Sequence, residues 1–182
     1  MFRKIVSDYF KKRLYGYYQR QQRIANIQTF SNSKSIGILW NPIDEAGIET
    51  YELLRKTLKD KGIRTVGLAH LDSKREKETF ATIAHSGFSN NINESWNGKP
   101  KTGDGAQFML EQFDVLIDLS IQKVLALQYI LVHSVATFKV GWESSEYNYY
   151  DLNIDVTMKP HCRYLMEQIV YYLENINGKD SI

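Results

Sequence analysis

What this chain of 182 residues lacks narrows it first. Its single cysteine, Cys162, permits no disulfide within the chain, and a metal site built on it would need other ligands, so a reducing compartment is expected. No apolar run approaches the roughly 18 residues needed to span a bilayer, and the opening MFRKIVSDYFKKRLYGYYQRQQR carries charges where a secretory leader would be apolar. These absences predict a cytoplasmic protein. No repeat or low-complexity tract is present. The short motifs of well-known chemistry are missing too: no G-x-G-x-x-G or G-x-x-x-x-G-K-[ST] for nucleotide phosphates, and no H-E-x-x-H, C-x-x-C or G-x-S-x-G. Adjacent residues of a helix point different ways, so His161 and Cys162 make a poor metal pair or dyad.

What is present is core-forming material. A hydrophobic fraction of 43% suffices for one sizeable core. The informative stretch runs from Phe113 to Trp142. Val115, Leu116, Ile117 and Leu119 form a short apolar run suited to a strand covered on both faces. From Ile121 to Val132 the pattern turns helical and apolar on most sides, and VATFKVGW then reads as another strand. Parallel strands need a crossover of about a dozen residues or more, which Ser120 to Val135 supplies.

The rest of the chain repeats the theme. Ile36, Gly37, Ile38 and Leu39 predict a first strand, ended at Trp40, Asn41 and Pro42. Asn41 as cap, Pro42 as first residue, and Asp44 and Glu45 near the dipole predict a helix that runs to Lys61, buries Gly47, Tyr51, Leu54 and Leu58, and stops at Gly62. Ile63 to Leu71 reads as a second strand, and residues 72–84 as a charged stretch or short helix. Residues 86–105 read as a long polar connection, either a binding loop or a plain insertion, with Asn97 and Gly98 as a turn after a short strand at Glu94 to Trp96. Gln107 to Gln112 reads as a short helix. Leu152, Ile154 and Val156 alternate as in an edge strand, and Pro160 to Ile176 forms a last helix with Leu165, Ile169, Tyr172 and Leu173 inward, ended by Asn177 and Gly178.

The formal net charge of +2 hides an asymmetry. Residues 1–29 carry Arg3, Lys4, Lys11, Lys12, Arg13, Arg20 and Arg23 against Asp8 alone, a charge of +6 that leaves −4 for the remainder. Ile5, Tyr9, Leu14 and Tyr17 fall near helical spacing in this arm, which predicts an amphipathic helix. Such a helix packs on its own domain, joins a protein partner or a second copy, or meets an anionic membrane or nucleic acid, the last two being weaker readings. A polar hinge at Thr29 to Lys34 separates an arm, 1–30, from one domain, 31–182.

Site candidates follow from topology. Open α/β sheets bind ligands outside the carboxyl ends of their strands. Those ends here carry Asn41, His70, Asp118, Ser120 and Glu143, with Lys123 on the first turn of the crossover helix. Together they could hold a small anion, nucleotide or sugar nucleotide. Each also has an ordinary role: Asp118 bonding loop amides, Ser120 capping the helix, and His133 as a core or helix-end residue. A dinucleotide site is disfavoured, because in WNPIDEAG the proline lacks an amide hydrogen and two acids would repel phosphate.

FDVLIDLS, an apolar helix and ATFKVGW resemble the amino-terminal half of heptosyltransferase-like glycosyltransferases of the two-Rossmann type, through Asp114, Asp118, Leu119, Ala136 and Gly141. That resemblance implies a fold and no catalytic residue, since 182 residues leave no room for the second domain that holds the nucleotide sugar. With its basic arm and its SIGILWNP start, the whole chain also resembles a domain-of-unknown-function family of Bacteroidota-type bacteria. The expected fold is therefore three-layer Rossmann-like α/β, a mostly parallel sheet with helices on both faces, plus an N-terminal amphipathic helix. The expected function is a non-catalytic binding or interaction module without cofactor or metal, the alternative being a small-ligand protein or enzyme with its site at the strand ends.

Overall fold

A computed structural model describes residues 2–21, 23–41, 45–71, 86–90, 95, 97–143 and 147–176, with the side chains of 2–7, 45 and 88–90 left aside. The expected Pro42 and Asp44 helix start, the charged stretch 72–84, most of the Glu94 to Trp96 strand, the Asn177–Gly178 stop and the Arg3, Lys4 and Ile5 side chains lie outside this description.

The described elements alternate in the α/β manner: α1 (Phe2–Arg20), β1 (Ser35–Trp40), α2 (Glu45–Asp60), β2 (Arg64–Leu71), β3 (Ser86–Asn90), α3 (Asp104–Leu110), β4 (Val115–Asp118), α4 (Leu125–His133), β5 (Phe138–Gly141), β6 (Leu152–Asn153) and α5 (Cys162–Asn175). All six strands are parallel, in the order β3-β2-β1-β4-β5-β6. Two half-sheets thus grow outward from β1 and β4, whose pairing sets Leu39 beside Asp118.

Side-chain alternation along the strands feeds two cores. Ile36, Ile38, Trp40, Val115, Ile117 and Val140 face α2 and α5, where Tyr51, Leu54, Leu58, Leu165, Ile169 and Leu173 cover them. Trp40 stacks flat on Tyr51, centroids 4.3 Å apart. Leu39, Leu68 and Leu116 face the other way, under Phe108 of α3 and Leu127, Ile130 and Leu131 of α4. α2 ends as its sequence predicts, at Gly62 with φ +74°.

Several expectations are corrected. The segment 86–105 is not all connection, because Ser86–Asn90 pairs with β2 as an outer strand, its backbone finding partners without an apolar side-chain signal. Ser95 and Lys99 close a turn around Gly98, through Ser95 N to Lys99 O at 2.8 Å and Gly98 N to Ser95 O at 2.8 Å. α3 begins earlier than expected, at Asp104. α4 begins at Leu125 rather than Ile121, so Ser120 caps no helix and Lys123 precedes the first turn. β6 is an edge strand of only two residues, and Ile154 and Val156 beyond it are buried. α5 starts at Cys162, two residues after Pro160; His161 is its cap, the Nδ1 atom accepting from Arg163 N at 3.2 Å. Tyr172 is 40% exposed, and Met166 takes its expected place inside.

α1 lies on α4. Phe10 and Leu14 are buried, Tyr15 packs edge-on against Tyr147 at 5.3 Å, and Tyr18 against Tyr149 at 5.6 Å. The expected inward Tyr9 is 60% exposed and Tyr17 41% exposed. With aromatic rings at both 9 and 10 and at both 17 and 18, periodicity cannot choose the face; the surface offered by α4 and Tyr149 does. The chain after α1 is fastened as well. Arg23 donates to Ala136 O (3.2 Å) and Thr137 O (2.8 Å) and pairs with Asp151. The Thr29 to Lys34 segment is a built turn: Ser33 Oγ donates to Thr29 O at 2.6 Å, and Lys34 N and Ser35 N donate to Asp114 Oδ2 at 2.7 and 2.9 Å.

Candidate functional site at the strand carboxyl ends

β4 ends in a carboxylate because its last side chain faces the α4 layer just as the strand leaves the sheet. Leu119 N still bonds Leu39 O at 2.9 Å, so the chain follows β1 for one more residue. It then turns: Ser120 N donates to Asp118 Oδ1 at 2.8 Å, an Asx-type turn that holds residues 119–124 out of helix. Lys123 is carried back over the strand end. Its Nζ donates to Ser120 O at 2.7 Å, to Tyr150 OH at 2.9 Å and to Asp118 Oδ2 at 3.2 Å.

Tyr150 completes the cluster. Its hydroxyl donates to Asp118 Oδ2 at 2.6 Å, and the residue is buried. Burial, and then the Asp118 charge beside it, push the phenol well above its ordinary pKa, so it remains a protonated donor. The ring lies across β5 at Gly141, where a Cβ would come within 2.5 Å of ring Cε1. Glycine is required there by the close approach of the ring.

Glu143 follows β5. Its backbone exchanges two bonds with the Asn153 side chain, N to Oδ1 and Nδ2 to O, both 2.9 Å. Gln128 Nε2 of α4 reaches Glu143 Oε2 at 3.5 Å. Two buried atoms here have no hydrogen-bond partner among the described residues, Ser120 Oγ and Gln128 Oε1.

Of the six residues predicted from sequence, Asp118, Ser120 and Lys123 touch one another, and Glu143 stands on the adjoining strand end. Asn41 and His70 sit in the other half-sheet. His70 is buried on β2, two strands from Asp118 with β1 between and two residues further along in register, which places their backbones about 12 Å apart. Sequence reasoning missed Tyr150 and Gln128. Tyr150 stands in a polar-aromatic stretch 32 residues from Asp118, with no local signal linking the two. Gln128 had a signal, as an amide inside the otherwise apolar LALQYILVH.

A second buried cation lies behind this group. Lys139 of β5 is fully buried and donates from Nζ to Leu131 O (2.6 Å) and Val132 O (3.3 Å), closing the carboxyl end of α4. Burial first, and the Arg23 charge second, lower its pKa to about 7, opposed by Asp151. Asp151 Oδ2 also accepts from Lys139 N at 2.7 Å, so Arg23, Asp151 and Lys139 tie the segment after α1 to β5. Among the described residues, no three His, Cys, Asp or Glu side chains gather as a metal site, and no helix is long and apolar enough to cross a membrane.

The arrangement can orient and exclude more readily than it can react. Lysine has three protons, and each has an acceptor inside the chain. Both Asp118 oxygens are occupied as well. Residues 3–176 match the family of unknown function DUF6913. The chain belongs to that family. The match takes in α1 as well as the sheet, so arm and core are read together as a family unit. No curated protein matches the chain.

Proposed function

We propose that this family member is a non-catalytic binding or interaction module with a Rossmann-like core, in which α1 mediates self-association. One observation carries the non-catalytic reading: among the described residues, Asp118, Lys123 and Tyr150 bond one another and the Ser120 backbone, which leaves none of these three free to act as acid or base. α1 supports the interaction. Its inner side is used on α4, while Tyr9, Lys12, Arg13 and Arg20 face solvent. The charge of −4 on residues 30–182 offers a second copy as the complement to this basic face. In this reading the protein works in the bacterial cytoplasm, with Cys162 reduced.

Sedimentation equilibrium on the full chain at low and high salt tests the proposal, alongside a thermal-shift screen of nucleotides, sugar nucleotides, anions, anionic vesicles and nucleic acid. A concentration-dependent dimer, weakened by salt and by the combined Lys12→Gln, Arg13→Gln and Arg20→Gln changes, is expected. A monomer at about 100 μM in low salt removes self-association, because that concentration is far above the micromolar constants of ordinary weak dimers. Binding to vesicles or nucleic acid that depends on the same three cations would reassign the face.

The second reading, a small-ligand site at the strand ends, is favoured by Ser120 Oγ and Gln128 Oε1. A buried polar atom without a partner costs about 1–3 kcal/mol, which a ligand would recover. An anion, nucleotide or sugar nucleotide would have to draw Lys123 from its three partners. A hydroxyl- or amine-bearing ligand suits the acceptors as they stand. A shift produced by such a compound and lost in Gln128→Leu would establish this reading over the first.

A further inference from the structure

A cavity of about 200 Å³ lies between α1 and α4; its lining includes Leu125, two residues after Lys123, and Arg13, which it shares with the self-association face proposed above. α4 lines it with Leu125, Tyr129 and His133, residues i, i+4 and i+8 of one helix face. α1 lines it with Phe10, Leu14 and Tyr17, and Arg13 stands among them. Tyr17 and His133 meet across it, ring centroids 4.5 Å apart.

The walls are set by packing. His133 is held between two tyrosines, stacked on Tyr129 at 4.0 Å and on Tyr17 at 4.5 Å, and its Nδ1 is 2.9 Å from Tyr129 O. Burial lowers its pKa, Lys139 and Lys99 adding to the effect against the Tyr129 carbonyl, so the ring is neutral and donates from Nδ1. The Asn97 turn supplies another wall. Gly98 has φ +80°, and a Cβ there would lie 2.9 Å from Leu125 O, so this turn sits directly on the start of α4. Asn97 Oδ1 accepts from Lys99 N at 3.3 Å, which leaves its amide NH2 as a donor.

Among the described residues the lining holds the cation of Arg13, the amide donor of Asn97, the neutral His133 ring, and aromatic and aliphatic walls. An engineered cavity of about 150 Å³ is enough to take benzene, so this one has room for a single ring and a small polar group. Arginine's planar fork matches a carboxylate in two-point fashion. We propose that the α1–α4 cavity binds a monocyclic aromatic carboxylate, the ring against Phe10, Leu14 and Leu125 and the carboxylate on Arg13 and Asn97. Because both helices contribute, such a ligand would also hold α1 in place.

Phenylacetate titrated into the full chain, followed by the NMR signals of Tyr17 and Tyr129 and by thermal shift, tests this, with phenylacetamide and inorganic phosphate as comparisons. Phenylacetate is expected to saturate with a Kd of about 1 mM or tighter, the amide at least tenfold weaker, and phosphate without saturation. Arg13→Gln should weaken phenylacetate about tenfold, measured at a protein concentration where sedimentation finds wild type and variant in the same oligomeric state. Leu125→Trp, which fills the space, should abolish binding. Equal affinity for acid and amide, undiminished binding in Arg13→Gln, saturation by phosphate at the same residues, or no saturable change by about 10 mM would each overturn the proposal.

Discussion

Lys139 should leave a distinct mark on the stability of this fold. Its folded-state pKa is lowered to about 7 from 10.5. Below about pH 7 both folded and unfolded chains are protonated at this lysine, and the full penalty of burying its charge is present. Between pH 7 and 10.5 the unfolded chain holds a proton that the folded chain has released, so stability rises with pH. The slope reaches at most ~1.4 kcal/mol per pH unit, or ~2.7 kcal/mol between pH 7.5 and 9.5. The ammonium also faces two carbonyls at the end of α4, which favours the charged form and trims the gain. Urea unfolding of the wild type and of Lys139→Met at half-unit steps across that range isolates the effect. Loss of the two hydrogen bonds shifts the variant by a constant, whereas the difference in slope reports the lysine alone. Parallel pH dependences in the two proteins would show that Lys139 keeps an ordinary pKa and that its burial carries no such penalty.

Three other outcomes are expected. Gly141→Ala drives a methyl into the Tyr150 ring and should cost about 1–3 kcal/mol in chemical denaturation; a variant as stable as wild type would mean that the ring can move aside. Asp151→Ala leaves Arg23 and Lys139 without their shared carboxylate and should cost about 3–5 kcal/mol, with faster hydrogen exchange in α1. Unchanged exchange there would refute the role of the Arg23 pair in fastening the arm. Gln128→Leu removes a buried, unpaired amide oxygen and should raise the stability of the ligand-free protein by about 1 kcal/mol; destabilisation of similar size would point to an ordered water on that atom.

The β4–α4–β5 unit was legible because two local signals agree in it: an apolar run bounded by acids, and a crossover long enough for parallel pairing. α2 was legible for similar reasons, its inward residues recurring at helical spacing until Gly62 stops them. β3 was not, because SGFSN has no apolar alternation; a parallel edge strand is recruited by the open backbone of β2. The start of α4 was misplaced because Ile121 and Val124 fit the helical period. The Asx-type turn at Ser120 and the pull of Asp118 and Tyr150 on Lys123 outweigh that fit.

Of the candidate site, sequence located strand ends but could not say which would meet. A period of two or of 3.6 reports which face a residue occupies and is silent on its partners across the sheet. Asp118 meets Tyr150 only because β5 lies beside β4 and Gly141 makes room for the ring, whereas His70 is kept away by β1 standing between. α1 shows the same division. Its helix, its charge and its aromatic content are properties of residues 1–29 alone. Which rings go inward, the use of Arg23 as an anchor and the cavity beside Arg13 were decided by the surface on which it came to rest, since burial and pairing depend on groups more than a hundred residues away in the chain.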